Sequence, residues 1–170
     1  MKQRILSVDP SLRGTGYAVV ESNVAQTKAR CLEYGVLRLD AKLSVSVCLL
    51  SIFDNLNEVI ARQKPEVFAI ESTIYVQSYQ TAIILGSARG AALLAAAKHG
   101  LEIHEFAPRK VKQAVVGTGS ASKEQVAFMV QTLFGLEERP PADAADALAV
   151  AHTYLHTLPF RRALEIGKRR

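Results

Sequence analysis

The first forty residues most constrain the fold. Residues 3 to 9, about 14 to 22 and about 31 to 39 are strand-like and follow one another closely, which makes an antiparallel meander. Gly14-Thr15-Gly16 lies in the first connection. From there strand and helix alternate. Val45, Leu49, Ile52, Phe53, Leu56, Val59 and Ile60 recur with helical spacing between Ser44 and Arg62. Pro65 then breaks the chain before a second apolar run, Val67-Phe68-Ala69-Ile70-Glu71. Residues 78 to 98 form a long helix with small or apolar residues on most sides. Its Gly86 and Gly90, four apart, allow close backbone approach, which suits packing on a sheet or on a second subunit. Leu101 to Phe106 reads as the last strand. Ser122-Lys123-Glu124-Gln125 is a capping-box opening for a helix that ends at Gly135. A final helix runs from about Ala142 to about His156.

A meander followed by alternation predicts an α/β domain, a mixed five-stranded sheet with helices on both faces. No internal repeat or linker marks a second domain. The expected division is a domain over 1–157 and a basic, disordered tail over 158–170.

Charge and composition narrow the function classes. The net charge of +5 and pI near 9.4 favour an anionic partner. Much of the excess is local, because residues 161 to 170 hold Arg161, Arg162, Lys168, Arg169 and Arg170 against Glu165 alone. Such a tail reads as a solvated end or a nucleic-acid contact. Cys31 and Cys48 form neither a disulfide framework nor a metal motif, and they fit a reducing cytoplasm. The N-terminus enters a strand at once, without the apolar segment of a signal peptide. Arg89 interrupts the longest apolar stretch, so no membrane span is expected.

The chemistry resides in four acids. Asp9 ends the run Ile5-Leu6-Ser7-Val8-Asp9, and Glu71 ends its own run. Asp143 and Asp146 lie three apart in Ala142-Asp143-Ala144-Ala145-Asp146-Ala147-Leu148, on one helix face. Singly, a strand-end acid usually serves a turn, and Asp143 after Pro140-Pro141 suits a helix N-terminus. Jointly, carboxylates at two strand ends and on one helix can converge. Such a cluster repels itself unless hard cations sit within it. Oxygen-only ligands suit Mg²⁺ or Mn²⁺, and paired ions of this kind clamp an in-line phosphoryl displacement. Basic residues, Arg109, Lys110, Lys112 and Lys123, flank Gly117-Thr118-Gly119-Ser120 just before a helix N-terminus and suit phosphate contact. His152 and His156 have a spacing seen in zinc sites, but nothing completes a tetrahedral set; they read as surface or core histidines.

At this point the sequence resembles the RuvC family of Holliday-junction resolvases, from about Arg4 to Leu155. Five segments carry the resemblance in order: Asp9-Pro10 with Thr15-Gly16-Tyr17, Phe68 to Glu71, Leu85 to Gly90, Lys112 to Gly117, and Ala142 to Leu148. The resemblance implies a ribonuclease-H-like fold, a homodimer, and Mg²⁺-dependent hydrolysis of four-way DNA junctions, with two ions per site and Mn²⁺ as a substitute. It also implies a RuvA–RuvB branch-migration complex as partner. Asp9, Glu71, Asp143 and Asp146 fall on the family's four catalytic acids, and Lys112 and Lys123 on lysines near the scissile phosphate. Ser11 and Ala18 replace common glycines. Where the family usually places Phe, three residues after the Glu, this chain has Ile74, followed by Tyr75. Tyr75 is the expected DNA contact, with Ile74 as an apolar wedge otherwise.

Other readings make different demands. An actin-type ATPase shares an acid and glycines between opening strands but needs two such domains. A non-catalytic junction-binding module would have lost an acid, and none is lost. An RNase-H-like nuclease acting on RNA stays open as an alternative, with the Lys112-to-Gly119 segment and the Ala142-to-Leu148 helix favouring the junction resolvase.

Overall fold

Alternation along the strands divides the sheet into two apolar faces. The computed structural model describes residues 2–23, 29–72 and 78–168, with side chains up to residue 158. Its strands are β1 (Lys2–Asp9), β2 (Gly14–Asn23), β3 (Ala29–Arg38), β4 (Val67–Glu71) and β5 (Glu102–Phe106). Its helices are α1 (Val45–Gln63), α2 (Tyr79–Lys98), α3 (Pro108–Val116), α4 (Lys123–Phe134) and α5 (Ala142–Lys168). The sheet order is β3-β2-β1-β4-β5; β1–β2 and β2–β3 pair antiparallel, β1–β4 and β4–β5 parallel. This is the expected mixed five-stranded sheet.

Central β1 is covered on both sides, and Ile5, Leu6 and Val8 are fully buried. Each such side chain contributes roughly 1.5–3 kcal/mol by leaving water. Ile5, Val20, Val67 and Ala69 pack against α3, α4 and α5. Leu6, Val8, Val19, Phe68 and Ile70 pack on the other face against α1 and α2. Helices therefore cover both faces, as expected.

Three features differ from the sequence reading. Gly14 and Gly16 lie within β2 and not in the connection before it. Residues 108–116 form α3, a helix the sequence did not announce: only Val111 and Val115 of its nine residues are buried, too few to set a period. α5 continues past His156 to Lys168. Its first half is buried nearly all round, from Ala144 to Ala151, because the sheet takes one side while α3 and α4 take the others.

On α2 the small residues divide their work. Ala88, Ala91, Ala92, Ala95 and Ala96 face the sheet and are buried. A Cβ on Gly86 or Gly90 would meet nothing within 4 Å, so the glycines face away. Tyr79, Ile83 and Leu94 share that outward stripe and are exposed. Among the described residues α2 is the one helix long and apolar enough to cross a membrane. Its alanine stripe and the Arg89–Glu105 ion pair (2.6 Å) tie it to the sheet instead.

Candidate active site

Strand parity determines where the first two acids go. Ile5 faces α5, whereas Leu6 and Val8 face α1 and α2. Continuing the alternation brings Asp9 to the α5 face. The same count along Val67 and Ala69 brings Glu71 to that face. β1 and β4 run parallel with Val8 beside Ile70. One step further, Asp9 and Glu71 end adjacent strands side by side. The turn after Asp9 is latched by Arg13, whose guanidinium donates to the carbonyl oxygens of Asp40 and Leu43 and to Cys48 Sγ. Ser11 and Thr15 close the same turn, the Thr15 hydroxyl donating to the Ser11 carbonyl at 2.6 Å.

α5 brings the other two acids, and a side-chain-free strand lets it in. Gly16 lies opposite Asp9 in the β1–β2 ladder. A Cβ on Gly16 would fall 1.9 Å from the Asp143 carbonyl oxygen, and one on Gly14 would fall 3.2 Å from Asp143 Oδ2. The first turn of α5 thus rests directly on the β2 backbone. Asp146 follows one turn later on the same helix face.

The four acids lie close enough to be coupled through their charges. Asp9 is raised to about 7, chiefly by burial, then by Asp146 and Glu71, with a smaller push from Asp143. Glu71 is also raised to about 7, by burial and then by Asp146, against relief from Lys123 and Lys112. Lys123 Nζ sits 3.2 Å from Asp146 Oδ2, and this carboxylate holds the ammonium pKa above its usual value. α4 presents Lys123 in its first turn, where Ser122 and Gln125 complete the expected capping box.

The basic residues separate into two groups. Lys112 and Lys123 act on the acids electrostatically. Arg109 instead packs under the loop before α4, since a Cβ on Gly119 would lie 2.5 Å from its Cγ. Lys110 Nζ stands 5.8 Å from the Phe106 ring centre, in the range of a cation–π contact. Ile74 and Tyr75 lie outside the described residues. His152 belongs to the packing of α5: its ring bonds the Ala114 backbone, and burial lowers its pKa. His156 lies 6.2 Å from it, ring to ring. Two participants were not assigned a role from sequence: the pair Gly14 and Gly16, whose motif did not name α5 as the partner, and Arg13.

The donor set fits a hard cation. Four carboxylates offer only oxygen ligands, and two of them are raised, first by burial and then by the charge of their acidic neighbours. Among the described residues no three His, Cys, Asp or Glu side chains are drawn tightly enough to clasp one ion as they stand. The Lys123 ammonium is the counter-charge on Asp146.

The mixed five-stranded sheet with its helices is the ribonuclease-H-like fold. Comparison with known proteins narrows that class. The family model described as Crossover junction endodeoxyribonuclease RuvC matches residues 5–154. A protein of that description from Akkermansia muciniphila is 51% identical over 152 residues, covering 89% of this chain and 90% of its own. One from Marinobacter nauticus is 46% identical, covering 96% and 93%. A solved structure, T. thermophilus RuvC in complex with Holliday junction substrate, superimposes with a TM-score of 0.86 at 34% identity, covering 93% of this chain and 96% of that one. The chain belongs to the RuvC family, whose members are metal-dependent nucleases.

Proposed function

We propose that this protein resolves four-way (Holliday) DNA junctions in recombination and repair by symmetric phosphodiester hydrolysis. The observation that carries the chemistry is the convergence of Asp9, Glu71, Asp143 and Asp146 on the α5 face, two of them raised to about 7. Support for the substrate comes from the similar T. thermophilus structure, which is a junction complex.

In this reading the four carboxylates hold two Mg²⁺ ions, with Mn²⁺ able to replace them. Bound divalent ions supply Lewis acidity and a more acidic water. Water adds to phosphorus and the bond to the 3′-oxygen breaks, so the products are a 5′-phosphate and a 3′-hydroxyl. Asp9 and Glu71 act as ligands once they have lost their protons, which their burial opposes. Lys123 and Lys112 add positive charge beside the phosphate, and Arg109 and Lys110 extend the basic surface along α3. Beyond Glu71, Tyr75 stacks on an unpaired base; the alternative is Ile74 as an apolar wedge between base steps. The domain spans 1–157, and the basic residues of 158–170 add to DNA attraction.

Two-fold pairing follows from the substrate, because two sites must cut opposed strands. The outward stripe of α2, with Gly86 and Gly90 open beside exposed Ile83 and Leu94, supports a homodimer through that helix. A RuvA–RuvB branch-migration complex is the proposed partner and the cytoplasm the proposed location.

The test compares a synthetic four-way junction with matched duplex, with and without Mg²⁺. Cutting should require the junction and the metal. Asp9→Asn or Asp146→Asn should lower the rate roughly 100-fold or more, the scale of losing one preorganised charge-stabilising group, with junction binding largely kept. Tyr75→Ala should lose cleavage without losing thermal stability. Equal cutting of duplex, or near wild-type cutting by Asp146→Asn, overturns the reading.

A further inference from the structure

A cleft of about 170 Å³ opens beside Asp146, between the first turns of α4 and α5. Lys123 and Arg139 line it together with the carboxylates of Glu124 and Asp146, and the rest of its lining is apolar, including Ala127, Pro140 and Ala145. Its chemistry is therefore divided: an aliphatic surface, a Lys123 ammonium already paired with Asp146, and an Arg139 guanidinium with no such pair among the described residues. A DNA strand has the same division, a phosphate anion alternating with a deoxyribose ring whose faces are largely hydrocarbon.

Arg139 is placed for an external anion. It is exposed, and among the described residues it forms no salt bridge, although five other basic side chains and one histidine do. The nearby Glu124 does not consume it. That carboxyl is held below its usual range first by its own backbone N–H and the Ser122 hydroxyl, and only then by Arg139. Pro140 is buried directly after Arg139, which fixes the backbone from which the guanidinium projects. Lys123 and Asp146, paired at 3.2 Å, both line the cleft, so it adjoins the acid cluster directly.

We propose that the cleft seats one sugar–phosphate unit of the cut strand, adjacent to the scissile phosphate, with Arg139 as the phosphate ligand and the alanine–proline floor against the deoxyribose. Arg139 is thus a strand-positioning residue that no sequence motif assigned. This assignment rests on the nuclease reading of the four acids.

The experiment measures binding of a four-way junction without metal, across a series of salt concentrations, for the wild type, Arg139→Ala and Arg139→Lys. Losing one phosphate contact should reduce the slope of log K against log salt by about 1. Arg139→Lys should restore most of it. Junctions with a methylphosphonate at either phosphate flanking the cut then identify the contact. At one of the two positions this neutralisation should weaken wild-type binding several-fold and leave Arg139→Ala unaffected. With Mg²⁺ and saturating junction, Arg139→Ala should cut at near the wild-type rate, its defect appearing in KM. An unchanged salt slope, or equal methylphosphonate penalties in wild type and Arg139→Ala, overturns the assignment. If the wild type fails to cut junctions at all, the nuclease reading falls instead, and the binding comparison still decides whether Arg139 holds a phosphate.

Discussion

At the scale of single residues, the acids define a conflict that binding of cations resolves. Asp9 moves from 3.8 to about 7 and Glu71 from 4.5 to about 7 on folding without metal. Between those values the folded state keeps protons that the unfolded chain has released, so metal-free stability falls as pH rises from about 4 to about 7. Above that it stays low. Asp9→Asn should remove much of this dependence and stabilise the metal-free protein at pH 8, by roughly 1–2 kcal/mol after allowance for solvent reaching the site. Thermal melts with a chelator across pH 5 to 8 read this directly. Divalent cation should reverse the trend in the wild type, raising Tm more at pH 8 than at pH 5, because ligands must lose protons to bind. A metal-free profile that rises through pH 7 would contradict the coupling. The four acids were legible in sequence because each ends or interrupts an apolar pattern that sets its direction. Arg13 and Arg139 were not, since a lone arginine in a loop has no period to be read against.

At the scale of elements, sheet order and helix cover followed from the meander and the alternating runs, and β1, β2, β4, α1, α2 and α4 begin and end close to where those runs do. α3 did not, because Pro108 and four polar or basic residues mask its two core valines. α5 passes through Pro159, a residue that ordinarily stops a helix. The contact of α5 with β2 was also hidden, since a glycine in a strand signals close approach without naming the partner. It supplies a sharp test. Gly16→Ala places a methyl where the Asp143 carbonyl oxygen already sits, 1.9 Å away, and backbone cannot turn aside as a side chain can. Overpacking of this kind costs about 1–3 kcal/mol, and moving both α5 acids by about 1 Å should lower the cutting rate roughly 100-fold. Gly14→Ala should be milder, because its neighbour at 3.2 Å is the rotatable Asp143 carboxylate. Equal melting temperature and rate for Gly16→Ala and wild type would show that α5 is free to shift.

At the scale of the whole molecule, the helix stripe that leaves Gly86 and Gly90 uncovered should be where two copies meet. Sedimentation at micromolar concentration should give about twice the 18.5 kDa chain mass. Ile83→Asp, which sets a charge among apolar neighbours on that stripe, should weaken association at least about tenfold, or roughly 1.4 kcal/mol. It should also turn paired incision into nicking of one strand. A variant that stays dimeric would move the interface elsewhere. The sheet and helices were readable because apolar periodicity encodes burial within one chain; the exposed face of α2 carried the same small and apolar letters as its buried face, so sequence left the partner open. The order of the acids along the chain has a separate consequence. Synthesis proceeds from the N-terminal side, and folding begins before it ends. Asp9 and Glu71 emerge early, on strands that can pair while α5 is still unmade. Asp143 and Asp146 arrive more than seventy residues after Glu71. A nascent or prematurely terminated chain therefore holds only half of the proposed cutting centre and should be inactive until nearly the whole domain exists.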